Sequence, residues 1–126
     1  MIKGIGTDLI EISRVQRSLA KFGDKFAERI LAPSELAEYS RCGSPERFVA
    51  KRWAAKEAAG KALGTGIGQG VSWQDFCVEH TPLGAPQLVL SGKAAEIAAQ
   101  QGVQAMAISI SDERHYAIAF VVFSTT

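Results

Sequence analysis

Cysteine is scarce in this chain of 126 residues, which holds two, Cys42 and Cys77. They are too few and too far apart for a disulfide framework or a four-ligand zinc site, so both are expected as reduced, partly buried thiols. Histidine is equally scarce: His80 and His115 are the only two, and neither has a cysteine or histidine cluster beside it, which disfavours zinc. An excess of one charge is missing too. Fourteen Lys and Arg stand against 13 Asp and Glu, a formal charge of +1, so the whole-molecule basic footprint of many nucleic-acid binders is absent. No apolar run reaches the roughly 18 residues that would span a bilayer. The opening MIKGIGTDLIEI, with one Lys, an interrupted apolar stretch and an early Asp, lacks the layout of a secretory signal. A cytoplasmic protein with no membrane or nucleic-acid partner is expected. There is no internal repeat, no low-complexity linker and no GxSxG nucleophile elbow, so a Ser–His hydrolase is disfavoured.

What remains is globular material. Hydrophobic residues make up 47% and charged residues 21%, which predicts a folded core. The length suits one domain, residues 1–126, burying about two-thirds of its unfolded surface. Ile2 to Ile12 read as a first strand carrying Gly4, Gly6 and Asp8. Ser13 is the expected cap of a helix that sends Val15, Leu19 and Phe22 to the core and Arg14, Arg17 and Lys21 to another face, ending at Gly23. Two short helical stretches follow, one from Asp24 and one from Pro33-Ser34 to about Cys42-Gly43. The clearest helix opens at Ser44-Pro45 and stops at Gly64. VSWQDFCVEH and PQLVLS predict a hairpin, Ser91-Gly92 opens an Ala-rich helix, and two strands end the chain. The last of these is apolar almost throughout, from Ala117 to Phe123, as if both faces were covered, by a helix and by a neighbouring subunit. The predicted class is α+β, a mostly antiparallel sheet packed against helices.

On the long helix, a projection at about 100° per residue gathers Arg47, Lys51, Glu57 and Lys61 in one stripe, together with Ala50, Ala54 and Ala58. One reading is a solvated face with a Glu57–Lys61 pair contributing about 0.2–0.5 kcal/mol. The other is a binding face: a floor of alanines lets a long ligand lie against the backbone while cations hold its phosphates. The glycine-rich GTGIGQG after the helix, whose backbone can approach a ligand closely, favours the second. So does Asp8, since Mg²⁺ takes one or two protein carboxylates and completes its shell with water and phosphate. Asp8 and Glu57 are candidates, with Glu11 competing for the place of Asp8. Lys61 precedes the glycines, so the loop is not a Walker P-loop. Trp53 and Trp73 are expected to pack against core or subunit surface.

Three segments, GIGTDLIEISRV, FVAKRWAAKEAAGKALGTGI and SISDERHYAIAFV, occur in an order and spacing that resemble the short trimeric class of 4′-phosphopantetheinyl transferases, the holo-[acyl-carrier-protein] synthases. The resemblance covers essentially the whole chain. It implies transfer of 4′-phosphopantetheine from coenzyme A to a serine of apo acyl carrier protein, releasing adenosine 3′,5′-bisphosphate, with Mg²⁺ as cofactor, in fatty acid biosynthesis. It also implies a homotrimer with sites between subunits. Matched residue by residue, Asp8 and Glu57 take the metal, and Lys61 approaches the pyrophosphate. Arg52, Lys61, Gly64, Thr65 and Gly66 meet coenzyme A, while Arg14 and Lys21 meet the carrier protein. Asp8, Glu57 and Lys61 are the implied catalytic group, with Glu57 or Asp8 accepting the serine proton. The sequence departs from the pattern at Asp112, where many members have histidine; His115 lies three positions later.

A Mg²⁺-dependent nucleotide pyrophosphohydrolase and a non-enzymatic adaptor for acidic proteins are the competing readings. The first needs more clustered carboxylates than KEAAGK offers, and the second leaves Asp8, Glu57 and the glycine loop idle. Charge distribution agrees with two anionic substrates: Arg14 through Lys61 holds 11 Lys and Arg against 6 Asp and Glu, a net of +5.

Overall fold

The architecture turns on how closely one strand approaches one helix. In the computed structural model, which describes residues 1–126, strand β1 (Ile2–Glu11) crosses helix α4 (Pro45–Leu63). A Cβ added at Gly4 would sit 1.8 Å from the Ala62 carbonyl oxygen, and one at Gly6 would sit 1.9 Å from that of Ala58. Glycine on the strand is therefore required, and the alanines of α4 keep the helix surface low enough to accept it. Ala50, Ala54 and Ala58 are completely buried. This corrects the expectation that they floor a ligand site: protein already lies on them.

Between β1 and α4 come α1 (Ile12–Phe22), α2 (Asp24–Ile30) and α3 (Pro33–Tyr39). After α4 follow β2 (Phe76–His80), β3 (Pro86–Leu90), α5 (Gly92–Gln100), β4 (Ala105–Asp112) and β5 (Tyr116–Ser124). The strands form two antiparallel sheets, β1-β5-β4 and the hairpin β2-β3. The α+β class holds, with two sheets in place of one. The inner face of the larger sheet, including Ala117, Ala119, Val121 and Phe123, meets α4 in the core. Its outer face leaves Ile5, Leu9, Ile118 and Phe120 exposed. The unbroken apolar run of β5 is thus an alternating strand whose outer side also carries hydrophobic residues.

Local signals set several element ends as expected. Gly64 closes α4 in the left-handed conformation, φ 86°, donating its N–H to the Lys61 carbonyl. Gly60, unfavourable inside a helix, is explained by the loop beyond: its absent Cβ would lie 3.0 Å from the Gly66 carbonyl carbon. Other expectations need correction. Ser13 does not cap α1; the helix starts at Ile12, straight out of the strand, and the Ser13 hydroxyl donates to Glu11. Phe22 is 55% exposed, so only Val15, and Leu19 in part, face the core. Trp73–Asp75 is a 3-10 turn before β2, closed by Ser72. Cys42 and Cys77 are unpaired and half-buried.

α4 also buries two cations. Lys56 is fully buried and Arg52 is 6% exposed, a cost that folding tolerates only with paired charges. Glu35, on α3, supplies the partner. One of its oxygens accepts from Lys56 Nζ and, at 2.8 Å, from the Ala32 N–H. The other accepts from Arg52 Nη1 at 3.2 Å and from the Val78 N–H at 3.0 Å. Lys56 also donates to the Ile30 carbonyl at 2.8 Å, and Arg52 Nη2 to Glu38 at 2.6 Å. Burial pushes the Lys56 ammonium below its ordinary value, with the Glu35 carboxylate opposing the shift.

Candidate active site

Strand parity decides where Asp8 points. Gly4, Gly6, Asp8 and Ile10 share one face of β1, the face pressed against α4. Two strand residues advance about 6.7 Å and four helical residues about 6 Å, so the contacts Gly4–Ala62 and Gly6–Ala58 keep step, and the next step brings Asp8 beside the 54–58 turn. There the charged edge of α4 meets it. Lys61 Nζ donates to Asp8 Oδ1 at 2.9 Å and to the Thr7 carbonyl at 2.9 Å. Asp8 Oδ2 is buried with no hydrogen-bond partner, and an orphaned buried acceptor of this kind costs about 1–3 kcal/mol or more when charged. Glu57, one helical turn before Lys61, accepts from the indole Nε1 of Trp73 at 3.1 Å. No group of three or more His, Cys, Asp or Glu side chains surrounds a common point.

The stripe projected on α4 therefore splits. Glu57 and Lys61 stand at the Asp8 end, while Arg47 and Lys51 face the β4–β5 turn. Arg47 Nη1 donates to Asp112 Oδ2 at 2.8 Å and to the Glu113 carbonyl at 2.6 Å; Nη2 donates to the Arg114 carbonyl at 3.3 Å. Lys51 Nζ lies 3.9 Å from Asp112 Oδ1. Asp112 is thus the internal anion for two cations. Inside the turn, Glu113 Oε1 accepts the N–H groups of His115 at 2.7 Å and Tyr116 at 2.9 Å. The His115 bond is the main reason the exposed Glu113 carboxyl titrates below its usual value. The His115 carbonyl in turn accepts the Ile12 N–H at 2.9 Å, tying the turn to the start of α1.

Two cavities flank this turn. One of about 460 Å³ has Glu11, Ser13, Arg47 and His115 among its walls. The other, about 370 Å³, lies between α4 and the β2–β3 hairpin and is lined by Lys51, Arg52, His80, Pro86 and Asp112 among others. Neither includes Asp8, Glu57 or Lys61. Arg52 reaches the second cavity with its guanidinium already bonded to Glu35, Glu38 and the Val78 carbonyl and stacked 4.6 Å from the Phe48 ring. The Gly64-Thr65-Gly66 loop is held by the Gly66 N–H on the Gly60 carbonyl at 2.9 Å, and the Thr65 hydroxyl bonds to the Gly66 carbonyl at 2.8 Å.

Arg14, Arg17 and Lys21 are exposed on α1. Arg14 stacks on Trp53, 4.8 Å from the ring centroid, and Lys21 lies over Phe22 at 5.2 Å. The sequence reading missed the apolar part of this surface: Phe22, Lys25, Phe26 and Arg29 enclose a cleft of about 220 Å³. It also missed the contact of Trp73 with Glu57. The Ser72-x-x-Asp75 pattern was the available signal, because a capping pair marks a helical turn and not a strand.

A model of the 4′-phosphopantetheinyl transferase superfamily matches residues 4–121. The chain belongs to that family. Among members of the 4′-phosphopantetheinyl transferase superfamily, it is 57% identical to a Vibrio cholerae protein named holo-[acyl-carrier-protein] synthase over 122 residues, 97% of each chain. The holo-[acyl-carrier-protein] synthase of Neisseria meningitidis has the same fold, with a TM-score of 0.92 at 44% identity over 98% of this chain and 99% of that one. The Helicobacter pylori holo-[acyl-carrier-protein] synthase, solved in complex with coenzyme A, superimposes with a TM-score of 0.83 at 37% identity, covering 95% and 99% of the two chains.

Proposed function

We propose that Asp8, Glu57 and Lys61 form the centre at which this phosphopantetheinyl transferase moves 4′-phosphopantetheine from coenzyme A to a serine of apo acyl carrier protein. The observation that carries the assignment is the unsatisfied Asp8 Oδ2 on a carboxylate bonded to Lys61, which stands one helical turn after the second carboxylate, Glu57. Oxygen donors of this number suit Mg²⁺, which takes one or two carboxylates and leaves room for water and substrate phosphate; Asp8 and Glu57 would hold it. When bound, the ion supplies charge stabilisation to the phosphoryl oxygens.

The residues of the chain do the rest. Lys61 is 53% exposed at its side chain and on a flexible stem, so it can leave Asp8 and follow the pyrophosphate, where its charge counters what builds up in the transition state. The serine oxygen attacks the phosphorus carrying the pantetheine, the bond to the bridging oxygen breaks, and adenosine 3′,5′-bisphosphate departs with that oxygen. The serine proton passes to one of these two carboxylates, Glu57 or Asp8, the latter freed at Oδ1 once Lys61 has moved to the pyrophosphate. The glycine loop and the cavity beside Lys51 and Arg52 receive the coenzyme. Arg14 and Lys21, with Phe22 and Phe26 between the cations, receive an acidic amphipathic helix of the carrier protein.

A homotrimer fits two features: the apolar outer face at Ile5, Leu9, Ile118 and Phe120, and the separation of both large cavities from the carboxylates, which a neighbouring copy would bridge. Incubating the protein with coenzyme A, Mg²⁺ and apo carrier protein and weighing the carrier tests the function. A gain of one phosphopantetheine is expected. Nucleotide cleavage without carrier modification would refute transfer, and sedimentation as a monomer would refute the shared site.

A further inference from the structure

We propose that Trp73 is a positioning residue for Glu57, pinning one carboxylate oxygen so that the other is presented to a divalent cation. The inference rests on the assignment of Asp8 and Glu57 to that cation. Both carboxylates are treated alike. Asp8 gives Oδ1 to Lys61 at 2.9 Å and keeps Oδ2 without a donor. Glu57 gives Oε1 to the Trp73 indole at 3.1 Å and keeps Oε2 outside that bond. Each acid is thereby prepared as a one-oxygen ligand. Mg²⁺ demands near-octahedral geometry and retains several waters, so two preoriented single oxygens suit it better than freely turning carboxylates that could chelate with both.

Trp73 is itself firmly held. Its 3-10 turn is closed by the Gln74 N–H on Ser72 Oγ at 3.2 Å and the Ser72 N–H on Asp75 Oδ2 at 3.4 Å. Asp75 Oδ2 also accepts from Ala94 at the start of α5 at 3.2 Å, and the Gln74 amide donates to the Glu28 carbonyl of α2 at 2.6 Å. An indole N–H donates and cannot accept, so it fixes an anion without competing for a proton. Partners that orient metal ligands in this way typically contribute tenfold or more to metal affinity.

The test removes the N–H and nothing else. In a Trp53→Phe background, Trp73 is replaced by β-(3-benzothienyl)alanine, an isostere in which sulfur stands for the N–H. Mn²⁺ binding is measured by electron paramagnetic resonance with coenzyme A present, and thermal unfolding is followed in parallel. We expect the Mn²⁺ Kd to rise about tenfold while the unfolding midpoint moves by only a few degrees. In the Trp53→Phe parent, Mg²⁺ should change Trp73 emission, and Glu57→Gln should abolish that change. A Kd within twofold of the parent overturns the inference. Glu57→Gln and Asp8→Asn in the same assay separate the two failures. If they too leave Mn²⁺ affinity unchanged, the metal assignment is wrong; if they weaken it while the isostere does not, only the role of Trp73 falls. Trp73→Phe, should the isostere not incorporate, gives the same readouts.

Discussion

Replacing Glu35 by glutamine probes the buried charge cluster with almost no change of volume. Glu35 is 1% exposed and its two oxygens accept four bonds, two from the cations Lys56 and Arg52 and two from backbone N–H groups. An amide can satisfy one pair of donors through its oxygen, but its NH₂ must then face the other pair, donor against donor. One cation and one backbone N–H lose their partner at a buried site. Breaking a buried ion pair from one side costs about 3–5 kcal/mol. For a chain of this size, that corresponds to a fall in Tm of roughly 10–20 °C. Calorimetry at fixed protomer concentration measures it, since association also shifts apparent stability.

The deficit should depend on pH in a stated direction. Burial holds the Lys56 ammonium below its ordinary 10.5, and the Glu35 carboxylate opposes that; Glu35→Gln removes the opposition and widens the gap. Between the lowered folded value and 10.5 the unfolded chain binds the proton that the folded chain does not, so stability rises with pH across that window. The variant should therefore recover part of its loss as pH climbs toward 10.5. A loss under about 1 kcal/mol at neutral pH, far below the buried-pair range, or one that stays constant up to pH 10.5, would refute the claim that these charges are desolvated and mutually dependent.

Gly6→Ala places a Cβ 1.9 Å from a backbone oxygen of α4, so we expect a loss of about 3 kcal/mol or more in urea unfolding, whereas Gly43→Ala, with open space around it, should be near neutral. Arg14→Glu and Phe22→Ala should each raise the KM for carrier protein several-fold with kcat and the KM for coenzyme A unchanged, the first effect shrinking at high salt. The bond from His115 holds the Glu113 carboxyl below its usual 4.5, so the bracing of the β4–β5 turn is present above that value and lost as pH falls through the lowered one. The His115 amide should then lose protection relative to its intrinsic exchange rate in hydrogen-exchange NMR, with Glu113→Ala, which has no acceptor, showing the low protection at every pH.

Much of the candidate site was legible as local chemistry. Pro45 at the first helical position and Gly64 past the last one bound α4 because they act through their own backbone. Asp8 and Glu57 stood out as carboxylates of the right type near a lysine and a glycine loop. The alanine stripe was not legible in the same way. A helical projection reports which residues share a face, and it carries no information about what covers that face; here the covering element is β1, forty or more residues earlier in the chain. Phe22 failed for the converse reason, since its spacing matched a core position while no element closes over it. The pairing of Lys56 and Arg52 with Glu35 was invisible because the partner lies on a different helix.

By itself the sequence determined the α+β class, the ends of the long helix, the family, and the residue types available for phosphoryl chemistry. These follow from motifs and from backbone preferences that act within a few residues. The tertiary structure decided which of those residues act together. It put Asp8 against Lys61 because glycine at positions 4 and 6 lets β1 descend onto α4 in step with the helical repeat. It turned Arg47 and Lys51 toward Asp112 and Lys61 toward Asp8, and it gave Glu57 an indole from the 3-10 turn before β2. Those outcomes depend on van der Waals contact between distant segments, which no local pattern encodes.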